Sequence, residues 1–320
     1  MSGVNMETTA RISIFGAGGL IGKAISAQLK NSGYTNVIDC THKVLELTDQ
    51  NAVKNFFEIN RPEYIFFCAV KTVTDFEDTA RKTADELQNN LLMLCNVMEF
   101  AQKYEVTKGV FLGSAMLYPW NDLHNEPLTE DLLERPNLSE YKKSMEAAVL
   151  GKYVGLKLCQ YYHEQYNCKF VYALPTHIYG GFKDRKNLYF LEKMVQSICN
   201  AKLKGENSLY LDVFGEGKAL KQFLHVDDCA DAIIKVMQSY EDYTAPINIA
   251  TNQPESWSSI VKKICKIVDY NGEIKFNADR KENLANRICS TEKLNKIGWQ
   301  QKISMEQGLK LLCAECMERE

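Results

Sequence analysis

Residues 11–25 read Arg11-Ile-Ser-Ile-Phe-Gly16-Ala-Gly-Gly19-Leu-Ile-Gly22-Lys-Ala-Ile25, an apolar strand that runs into a glycine turn and an apolar helix. The spacing of Gly16, Gly19 and Gly22 is typical of a dinucleotide site. The first glycine makes the tight turn, the second lets the backbone approach a pyrophosphate, and the third lets helix and strand pack closely. The helix N-terminus then receives the negative charge. The alternative is an ordinary strand-to-helix turn, since a lone glycine triplet is a weak motif.

A second predicted strand, over residues 36–39, supports the dinucleotide site. It ends in Asp39, which stands 17 positions after Gly22. This is roughly where a carboxylate binds the hydroxyls of the adenosine ribose. Asp39 would also repel a 2′-phosphate, so it slightly favours NAD(H), while the nearby His42 and Lys43 leave NADP(H) open.

Composition permits a globular enzyme and excludes several other classes. The chain has 320 residues, of which 45% are hydrophobic, enough for one large domain or two smaller ones. The formal net charge of −3 shows no basic excess, so nucleic acid is not an expected partner. No apolar run approaches the ~20 residues of a membrane span, and no signal-peptide core is visible. We therefore expect a cytoplasmic protein without membrane contact.

Cysteine usage is consistent with that compartment. The chain contains 11 cysteines, scattered along its length and without nearby histidine clusters. This distribution argues against a zinc site and against a disulfide framework in a chain of this size. Most of the cysteines are expected to be small apolar residues in a reducing compartment.

Strand and helix patterns alternate through the first half of the chain. Predicted strands cover residues 12–15, 36–39, 64–70 and 108–114, and predicted helices between them cover 20–30, 49–60 and 83–104. A long helix over about 139–166 and a strand over 169–174 follow. This order predicts an α/β fold of the Rossmann type, with a doubly wound parallel sheet and right-handed crossovers.

The pattern loosens after residue 181, which indicates a smaller C-terminal α/β domain for substrate. We expect a nucleotide-binding domain of residues 1–180 plus about 223–250, and a substrate domain of about 181–222 plus 251–320. His225, Asp227 and Asp228 lie where the chain returns to the nucleotide-binding domain. We interpret them as framework residues and not as reacting groups.

Six further stretches carry a resemblance to a known family. They read Ile65-Phe-Phe-Cys-Ala-Val-Lys71, Phe111-Leu-Gly-Ser114-Ala-Met116-Leu-Tyr-Pro119, Lys152-Tyr-Val-Gly-Leu-Lys-Leu-Cys-Gln-Tyr-Tyr-His-Glu-Gln-Tyr166, Leu174-Pro-Thr-His-Ile-Tyr-Gly180, Gln222-Phe-Leu-His-Val-Asp-Asp228 and Leu294-Asn-Lys-Ile-Gly-Trp299. Over nearly its whole length the chain resembles the extended short-chain dehydrogenases/reductases, and among them the GDP-L-fucose synthase group.

The resemblance implies a Rossmann domain that binds NADP(H) or NAD(H), with NADP(H) as the family default. It also implies a C-terminal lobe that holds a GDP-linked keto sugar, redox chemistry at a sugar carbonyl, and a homodimer formed through the helices near 83–104 and 139–166. Beyond the glycines and Asp39, it places cofactor contacts at Leu20, Ile21, Ala69, Val70, Lys71, Lys152, Pro175 and His177.

Carbonyl reduction needs a proton donor, a positive charge that lowers the donor's pKa, and a hydroxyl that orients the carbonyl. Families of this type supply tyrosine, lysine and serine for these roles. Ser114 occupies the serine position and Lys152 the lysine position. Taken alone, Ser114 would be a turn or helix cap and Lys152 a solvated surface charge.

The tyrosine position holds Ala148, and alanine cannot donate a proton. The chain is therefore either an inactivated variant of an active enzyme, natural or engineered, or it obtains the proton from another group. Tyr141, with Ser144 three positions later, offers a local Tyr-x-x-Ser frame. We interpret it as a decoy, because Met145 stands where the lysine should follow.

Two more departures concern epimerisation. GDP-fucose synthases invert the carbons beside the ketone with a cysteine and a histidine, whose pKa values suit proton abstraction near neutral pH. The corresponding positions here hold Met116 and Tyr189. We therefore predict a C-4 keto-reductase without 3,5-epimerase activity. The simpler alternative is that Met116 fills a packing gap and Tyr189 is a surface aromatic.

Residues for the sugar nucleotide also follow from the resemblance. Lys221 takes the place of an arginine that binds the pyrophosphate, as a point charge and not a fork. Phe214 can cover the base or sugar, and Arg287 is a further candidate for the diphosphate. Together with Ser114 and His177 they are expected to line one cleft between the lobes.

The leading hypothesis is an NAD(P)H-dependent reductase of a GDP-linked 4-keto sugar in glycan precursor synthesis. One alternative is a nucleotide-sugar epimerase or dehydratase that keeps its NAD bound and recycles the hydride. The other is a non-catalytic protein that binds a sugar nucleotide, which a natural alanine at position 148 would favour.

Overall fold

The computed structural model describes residues 6–71, 83–118, 126–134, 143–181, 189–277, 279 and 287–318. Its centre is a six-stranded parallel sheet with the order β10-β5-β4-β3-β1-β2. The strands are β1 (Ile12–Phe15), β2 (Val37–Cys40), β3 (Tyr64–Phe67), β4 (Lys108–Leu112), β5 (Phe170–Pro175) and β10 (Ile247–Ile249). The predicted α/β class with a doubly wound parallel sheet is confirmed.

Helices cover both faces of this sheet. They are α1 (Leu20–Asn31), α2 (Gln50–Asn60), α3 (Thr83–Lys103), α4 (Lys143–Tyr166) and α6 (Val226–Ser239). One hydrophobic core joins the sheet to α1 and α6, and the other joins it to α2, α3 and α4. β1 serves both cores, since Ile14 packs toward α1 while Phe15 packs toward α2, as the period of two in a strand requires.

The C-terminal region forms a third hydrophobic core from α5 (Phe190–Leu203), α7 (Trp257–Val268) and α9 (Met305–Met317). Short pairs of strands accompany it: β6 (His177–Tyr179) with β9 (Phe223–His225), β7 (Ser208–Phe214) with β12 (Glu273–Asn277), and β8 (Leu220–Lys221) with β11 (Glu255–Ser256). The short helix α8 (Glu292–Lys296) lies between β12 and α9 in the chain. The proposed division into two domains stays a prediction.

Four predicted strands are wrong by one to three residues, and β5 (Phe170–Pro175), like β2, lies one residue later than expected. β2 lies one residue later than expected and ends at Cys40, whose carbonyl oxygen accepts the Gly16 N–H at 2.9 Å. β3 ends at Phe67 and not at residue 70, and β4 ends at Leu112 and not at residue 114. In each case the chain leaves the sheet to form a loop at its C-terminal edge. The predicted start of α4 at residue 139 lies outside the described residues.

The interpretation of the turn at residues 225–228 as framework agrees with its hydrogen bonds. The His225 ring accepts the Asp227 N–H at 3.2 Å and so caps α6. The Asp228 carboxylate accepts the N–H groups of Lys302 and Ile303 at 3.1 and 2.8 Å. Both side chains therefore serve the backbone. Among the described helices, none combines the length and apolar character needed to cross a bilayer.

One buried charge links the sheet to α6. Lys108, at the start of β4, is fully buried, and its ammonium group donates to the carbonyl oxygens of Val236, at 3.0 Å, and Tyr240. It also lies 5.6 Å from the ring centroid of Tyr243. Desolvation lowers the pKa of Lys108 to about 8, although the charge of Glu241 acts in the opposite direction.

This shift predicts a pH-dependent stability. Between pH ~8 and ~10.5 the unfolded chain still binds a proton at Lys108 that the folded chain has lost, so the free energy of unfolding rises with pH in this window. We expect the native protein to gain on the order of 2–3 kcal/mol relative to Lys108→Met across the window. Thermal melts of both proteins at several pH values measure the difference, and parallel curves would contradict the prediction.

Candidate active site

The glycine turn after β1 is closely packed on two sides. Gly16 has φ +87°, and a Cβ there would lie 2.6 Å from the main-chain nitrogen of Ala69. A Cβ on Gly22 would lie 2.4 Å from the Gly16 carbonyl oxygen. Both positions therefore need glycine, the first for the turn and the third for helix packing, as the sequence pattern predicts.

The second glycine and the start of α1 are suited to an anion. A Cβ on Gly19 would meet only the Gly16 carbonyl oxygen, at 3.4 Å, so its outer side is open. Gly19 is the N-cap, its carbonyl accepts the Lys23 N–H, and the first turn, which contains Leu20 and Ile21, has no acidic side chain. The N–H groups of that turn and the positive end of the helix dipole thus fit a pyrophosphate.

The loop after β3 forms the neighbouring wall. Cys68 donates its N–H to the Phe15 carbonyl oxygen at 2.8 Å, which continues the β1–β3 pairing, and Ala69 then lies against Gly16. Lys71 is held by α3 through two bonds: its N–H donates to Asn90 Oδ1 at 2.8 Å, and Asn90 Nδ2 donates to its carbonyl oxygen at 2.9 Å. The predicted contact residues Ala69, Val70 and Lys71 are thus fixed beside the glycine turn. Sequence reasoning missed Asn90.

Asp39 was expected to end β2 and to bind ribose hydroxyls, but in the structure it precedes the last residue of β2 and forms an ion pair. It is the penultimate residue of β2, paired with Ile14, and one carboxylate oxygen binds the ammonium group of Lys30 on α1. The other oxygen is buried without a hydrogen-bond partner among the described residues. Because Lys30 compensates the charge of Asp39, the electrostatic argument for NAD(H) is weakened.

Ser114 lies at the end of the loop that follows β4. Its Oγ accepts the Met116 N–H at 3.1 Å and caps a 3₁₀ turn, Ala115–Leu117. The acceptor side of the hydroxyl is therefore used, while its proton stays available for a carbonyl oxygen. Met116 is half-buried and packs against the hydrophobic core shared with α3 and α4, as its packing interpretation requires.

Lys152 and Ala148 lie one turn apart on α4, and both are half-buried. Lys152 Nζ donates to the Gly113 carbonyl oxygen at 3.4 Å, directly before Ser114. Tyr172 Oη donates to the Lys152 carbonyl oxygen at 2.6 Å and fixes this turn of the helix. The structure thus brings Lys152 to the strand end that carries Ser114, with a methyl group at position 148.

The charge of a buried carboxyl group acts on this lysine. Glu86 is 9% exposed and lies in the first turn of α3. Burial lowers the pKa of Lys152 and raises that of Glu86, while each charge opposes the shift of the other group. Sequence reasoning missed Glu86, because an acid in the first turn of a helix is ordinary.

The predicted substrate residues His177, Lys221 and Arg287 form a basic cluster. The His177 ring is accessible to solvent yet surrounded by protein atoms, as in a cleft. Desolvation, followed by the charges of Lys221 and Arg287, lowers the pKa of His177 to about 4. The histidine is therefore neutral at pH 7, beside two cations.

Arg287 connects this cluster to the Ser114 loop. Its guanidinium group donates to the carbonyl oxygens of Ala115 and Tyr118 at 3.3 and 2.6 Å. The segment that follows Arg287 is held by the buried Gln222, whose side chain exchanges hydrogen bonds with the backbone of Cys289 at 2.7 and 3.0 Å. The backbone carbonyl oxygen of Gln222 also accepts the His177 N–H, at 3.3 Å.

Three other predicted residues lie at the periphery or in the sheet. Pro175 is the buried last residue of β5, next to β10. Tyr189, the N-cap of α5, and Phe214, at the end of β7, are 61% and 42% exposed. Tyr141, the expected decoy, lies outside the described residues.

In the part of the chain that the structure describes, no group of three or more His, Cys, Asp or Glu side chains could hold a metal ion. Cys313 and Cys316 have the Cys-x-x-Cys spacing that our sequence reasoning passed over. Both are buried on α9, and all 11 cysteines are free thiols.

A family comparison agrees with this geometry. The NAD dependent epimerase/dehydratase family matches residues 12–250. The chain belongs to the NAD dependent epimerase/dehydratase family. The matched residues include the glycine turn, Ser114, Lys152 and His177, and end after β10.

Two relatives show which members of this family the chain is similar to. A putative GDP-L-fucose synthase 2 of Arabidopsis thaliana is 29% identical over 306 residues, which cover 95% of this chain and 90% of the relative. The GDP-L-fucose synthase of Escherichia coli (strain K12) is 29% identical over 309 residues, which cover 93% and 94%. The predicted resemblance to this group is confirmed.

A solved structure extends the likeness to the fold. MlghC, a GDP-mannoheptose C4 reductase from Campylobacter jejuni with NADP bound, has a TM-score of 0.84 and 28% sequence identity to this chain. The match covers 98% of this chain and 100% of that one. The family is NAD dependent, and the glycine cradle fits NAD(P) as its cofactor.

The contact between Gly22 and Gly16 generates a stability prediction. In Gly22→Ala the added methyl group meets backbone, so we expect a loss of about 2–3 kcal/mol and a melting temperature lower by about 4–8 °C. Gly18→Ala is the matched control, because its Cβ would lie 3.7 Å from the nearest atom, in Thr41. Melts of the cofactor-free proteins measure both, and equal losses in the two variants would refute the packing argument.

Proposed function

We propose that this protein is an NAD(P)H-dependent reductase that acts on C-4 of a GDP-linked 4-keto sugar in the synthesis of a glycan precursor. The observation that carries the proposal is the basic cluster of His177, Lys221 and Arg287, joined to the Ser114 loop by the Arg287 hydrogen bonds. A diphosphate bound by these cations would lead its sugar toward Ser114 and Lys152. The names of the relatives support GDP as the nucleotide.

The residues of the cleft suit polarisation of a ketone. The Ser114 hydroxyl accepts a backbone N–H, so its proton can point to the sugar oxygen. The Lys152 ammonium group, beside the Gly113 carbonyl, adds positive charge where an alkoxide develops. The nicotinamide supplies a hydride when the cofactor is bound.

The residues at the two epimerase positions, Met116 and Tyr189, do not form an acid–base pair. A thioether at position 116 has no proton to exchange, and the side chain at position 189 is a phenol where the related enzymes carry an imidazole. Met116 also packs against the core. We therefore propose that the carbons flanking C-4 keep their configuration.

We propose that the protein uses both NADH and NADPH. Lys30 compensates the Asp39 carboxylate, which reduces the repulsion of a 2′-phosphate. His42 and Lys43, on the exposed turn after β2, can offer donors to that phosphate.

We also propose a cytoplasmic homodimer. All 11 cysteines are free thiols, which suits a reducing compartment. On the packed helices α3 and α4, Leu92 and Tyr161 are 41% and 55% exposed, and a second copy could cover them. Light scattering is expected to give twice the chain mass for the native protein and a smaller mass for a Leu92→Glu/Tyr161→Glu variant; a native monomer would contradict the dimer.

The reaction itself predicts a defined assay result. With GDP-4-keto-6-deoxymannose or the corresponding heptose, we expect consumption of NADH or NADPH in a 1:1 ratio to a C-4 alcohol. Run in D₂O, the product should carry no solvent deuterium at C-3 or C-5, because Met116 and Tyr189 replace the cysteine and histidine that exchange those protons in GDP-fucose synthases. NMR spectroscopy of the product measures both configuration and labelling.

Substitution of Lys221 tests whether the basic cluster binds the sugar nucleotide. Lys221→Gln is expected to raise KM for the sugar nucleotide about tenfold, equivalent to ~1.4 kcal/mol of binding. Lys218→Gln is its control, since Lys218 is exposed and pairs with Glu216. Cofactor that co-purifies and is never consumed would point to an internally recycled epimerase or dehydratase. Binding of GDP-sugar and cofactor without turnover would point to a non-catalytic protein.

A further inference from the structure

The backbone before Ser114 is fixed by the central sheet. The Gly113 N–H donates to β5 at 2.7 Å, and Lys152 binds the Gly113 carbonyl oxygen at 3.4 Å. Residues 114–118, the Ser114 turn, then leave the sheet as a single 3₁₀ turn. Because the hydrogen bonds of such a short turn are poorly aligned, contacts from other parts of the chain are needed to fix the direction of its hydroxyl group.

Arg287 holds the backbone of the Ser114 turn from the C-terminal region. Its Nη2 atom donates to the carbonyl oxygens of Ala115 at 3.3 Å and Tyr118 at 2.6 Å. Ala115 begins the 3₁₀ turn and Tyr118 caps its end. One nitrogen of a planar guanidinium group therefore binds both ends of the turn and fixes them relative to each other.

The side chain of Tyr118 is held by a second route. Tyr118 is fully buried, and its hydroxyl donates to Asn248 Oδ1 at 2.8 Å. Asn248, on β10, is also buried, and its Nδ2 donates to the carbonyl oxygens of Leu128 at 3.2 Å and Ser290 at 3.1 Å. The oxygen and both N–H groups of this carboxamide are therefore used, which fixes its orientation.

The segment of residues 287–290 connects the two routes, since it contains both Arg287 and Ser290. It pairs with Leu128 through backbone hydrogen bonds of 2.7 and 2.8 Å. The side chain of Gln222 binds the same segment at 2.7 and 3.0 Å. The backbone that carries Arg287 is therefore itself fixed, as a side chain that positions another group requires.

We propose that Arg287 is a positioning residue for the Ser114 hydroxyl and that the bond between Tyr118 and Asn248 supports the same turn; the catalytic part of this inference rests on the proposed function. A hydroxyl that polarises a ketone must lie close to the sugar oxygen, and a displacement of about 1 Å costs about 100-fold in rate. The Nη2 bonds oppose such a displacement. Arg287 thus supports the rate of reduction in addition to the charge that it offers to the diphosphate.

Hydrogen exchange of the cofactor-free protein tests the turn without any reaction. The native protein should protect the N–H groups of residues 116–118, which donate within the turn. Arg287→Lys keeps the positive charge but replaces the planar fork by a point charge, so exchange of these groups should become at least about tenfold faster. Tyr118→Phe should act in the same direction.

Arg11→Lys is the matched control for this substitution. The Arg11 guanidinium group also donates to a backbone carbonyl oxygen, that of Arg61, at 2.6 Å. Arg11 directly precedes β1, at the edge of the parallel sheet opposite to Ser114. Arg11→Lys should therefore leave exchange in the Ser114 turn at the native rate.

Steady-state kinetics separate positioning from binding. Arg287→Lys and Tyr118→Phe should each lower kcat about tenfold and keep KM for the sugar nucleotide within about twofold of the native value. The reason is that the charge at position 287 is kept and that Tyr118 is buried. Lys221→Gln, in contrast, is expected to raise KM.

A double variant tests whether Arg287 acts through Ser114. Ser114→Ala alone should lower kcat about 100-fold. Arg287→Lys/Ser114→Ala should also be about 100-fold slower than the native protein, and not about 1,000-fold, because a displaced hydroxyl has little effect left to lose. The effects of Arg11→Lys and Ser114→Ala should be independent.

Several outcomes would overturn the positioning role. It is wrong if Arg287→Lys leaves exchange in the Ser114 turn unchanged, or if Arg11→Lys accelerates that exchange equally. It is also wrong if the effects of Arg287→Lys and Ser114→Ala on kcat multiply, or if Arg287→Lys raises KM alone, as loss of a diphosphate ligand would. If the exchange result is as expected but the native protein binds GDP and cofactor without turnover, Arg287 still holds the turn and the reductase function fails.

Discussion

The close approach of α1 to the turn after β1 determines the rest of the cleft. With 2.4 Å between a hypothetical Cβ on Gly22 and the Gly16 carbonyl oxygen, the helix can lie no nearer and no side chain can intervene. This distance fixes the direction of the helix N-terminus. Because Gly16 in turn touches Ala69, the same contact aligns the ends of β1 and β3 beside the N-terminus of α1.

The basic cluster depends on buried polar side chains and not on a shared helix or strand. His177, Lys221 and Arg287 are far apart in the chain, and Gln222 joins their segments by hydrogen bonds to the backbone around His177, Thr251 and Cys289. Each of these bonds satisfies a buried group that would otherwise cost free energy. The basic cluster is therefore positioned by hydrogen bonds of the protein interior.

The fold and the glycine turn could be predicted from the sequence because they depend on local patterns: strand and helix periods and the spacing of Gly16 and Gly22. The environment of Asp39 could not, since a shift of one residue in β2 and a lysine from α1 decide it. Glu86 shows the same limit. Its first-turn position is ordinary in sequence, and only the folded structure shows that it is buried and that its charge acts on Lys152.

The consequence of the alanine at position 148 depends on the environment of Lys152. A buried ammonium group is costly, because it loses hydration that one carbonyl contact replaces only in part. The charge of Glu86 opposes the fall in the pKa of Lys152 and so offsets part of this cost. The lysine therefore keeps a positive charge near Ser114 although position 148 carries only a methyl group. The loss of the phenol removes a proton donor, but it does not by itself remove the charge that would stabilise an alkoxide.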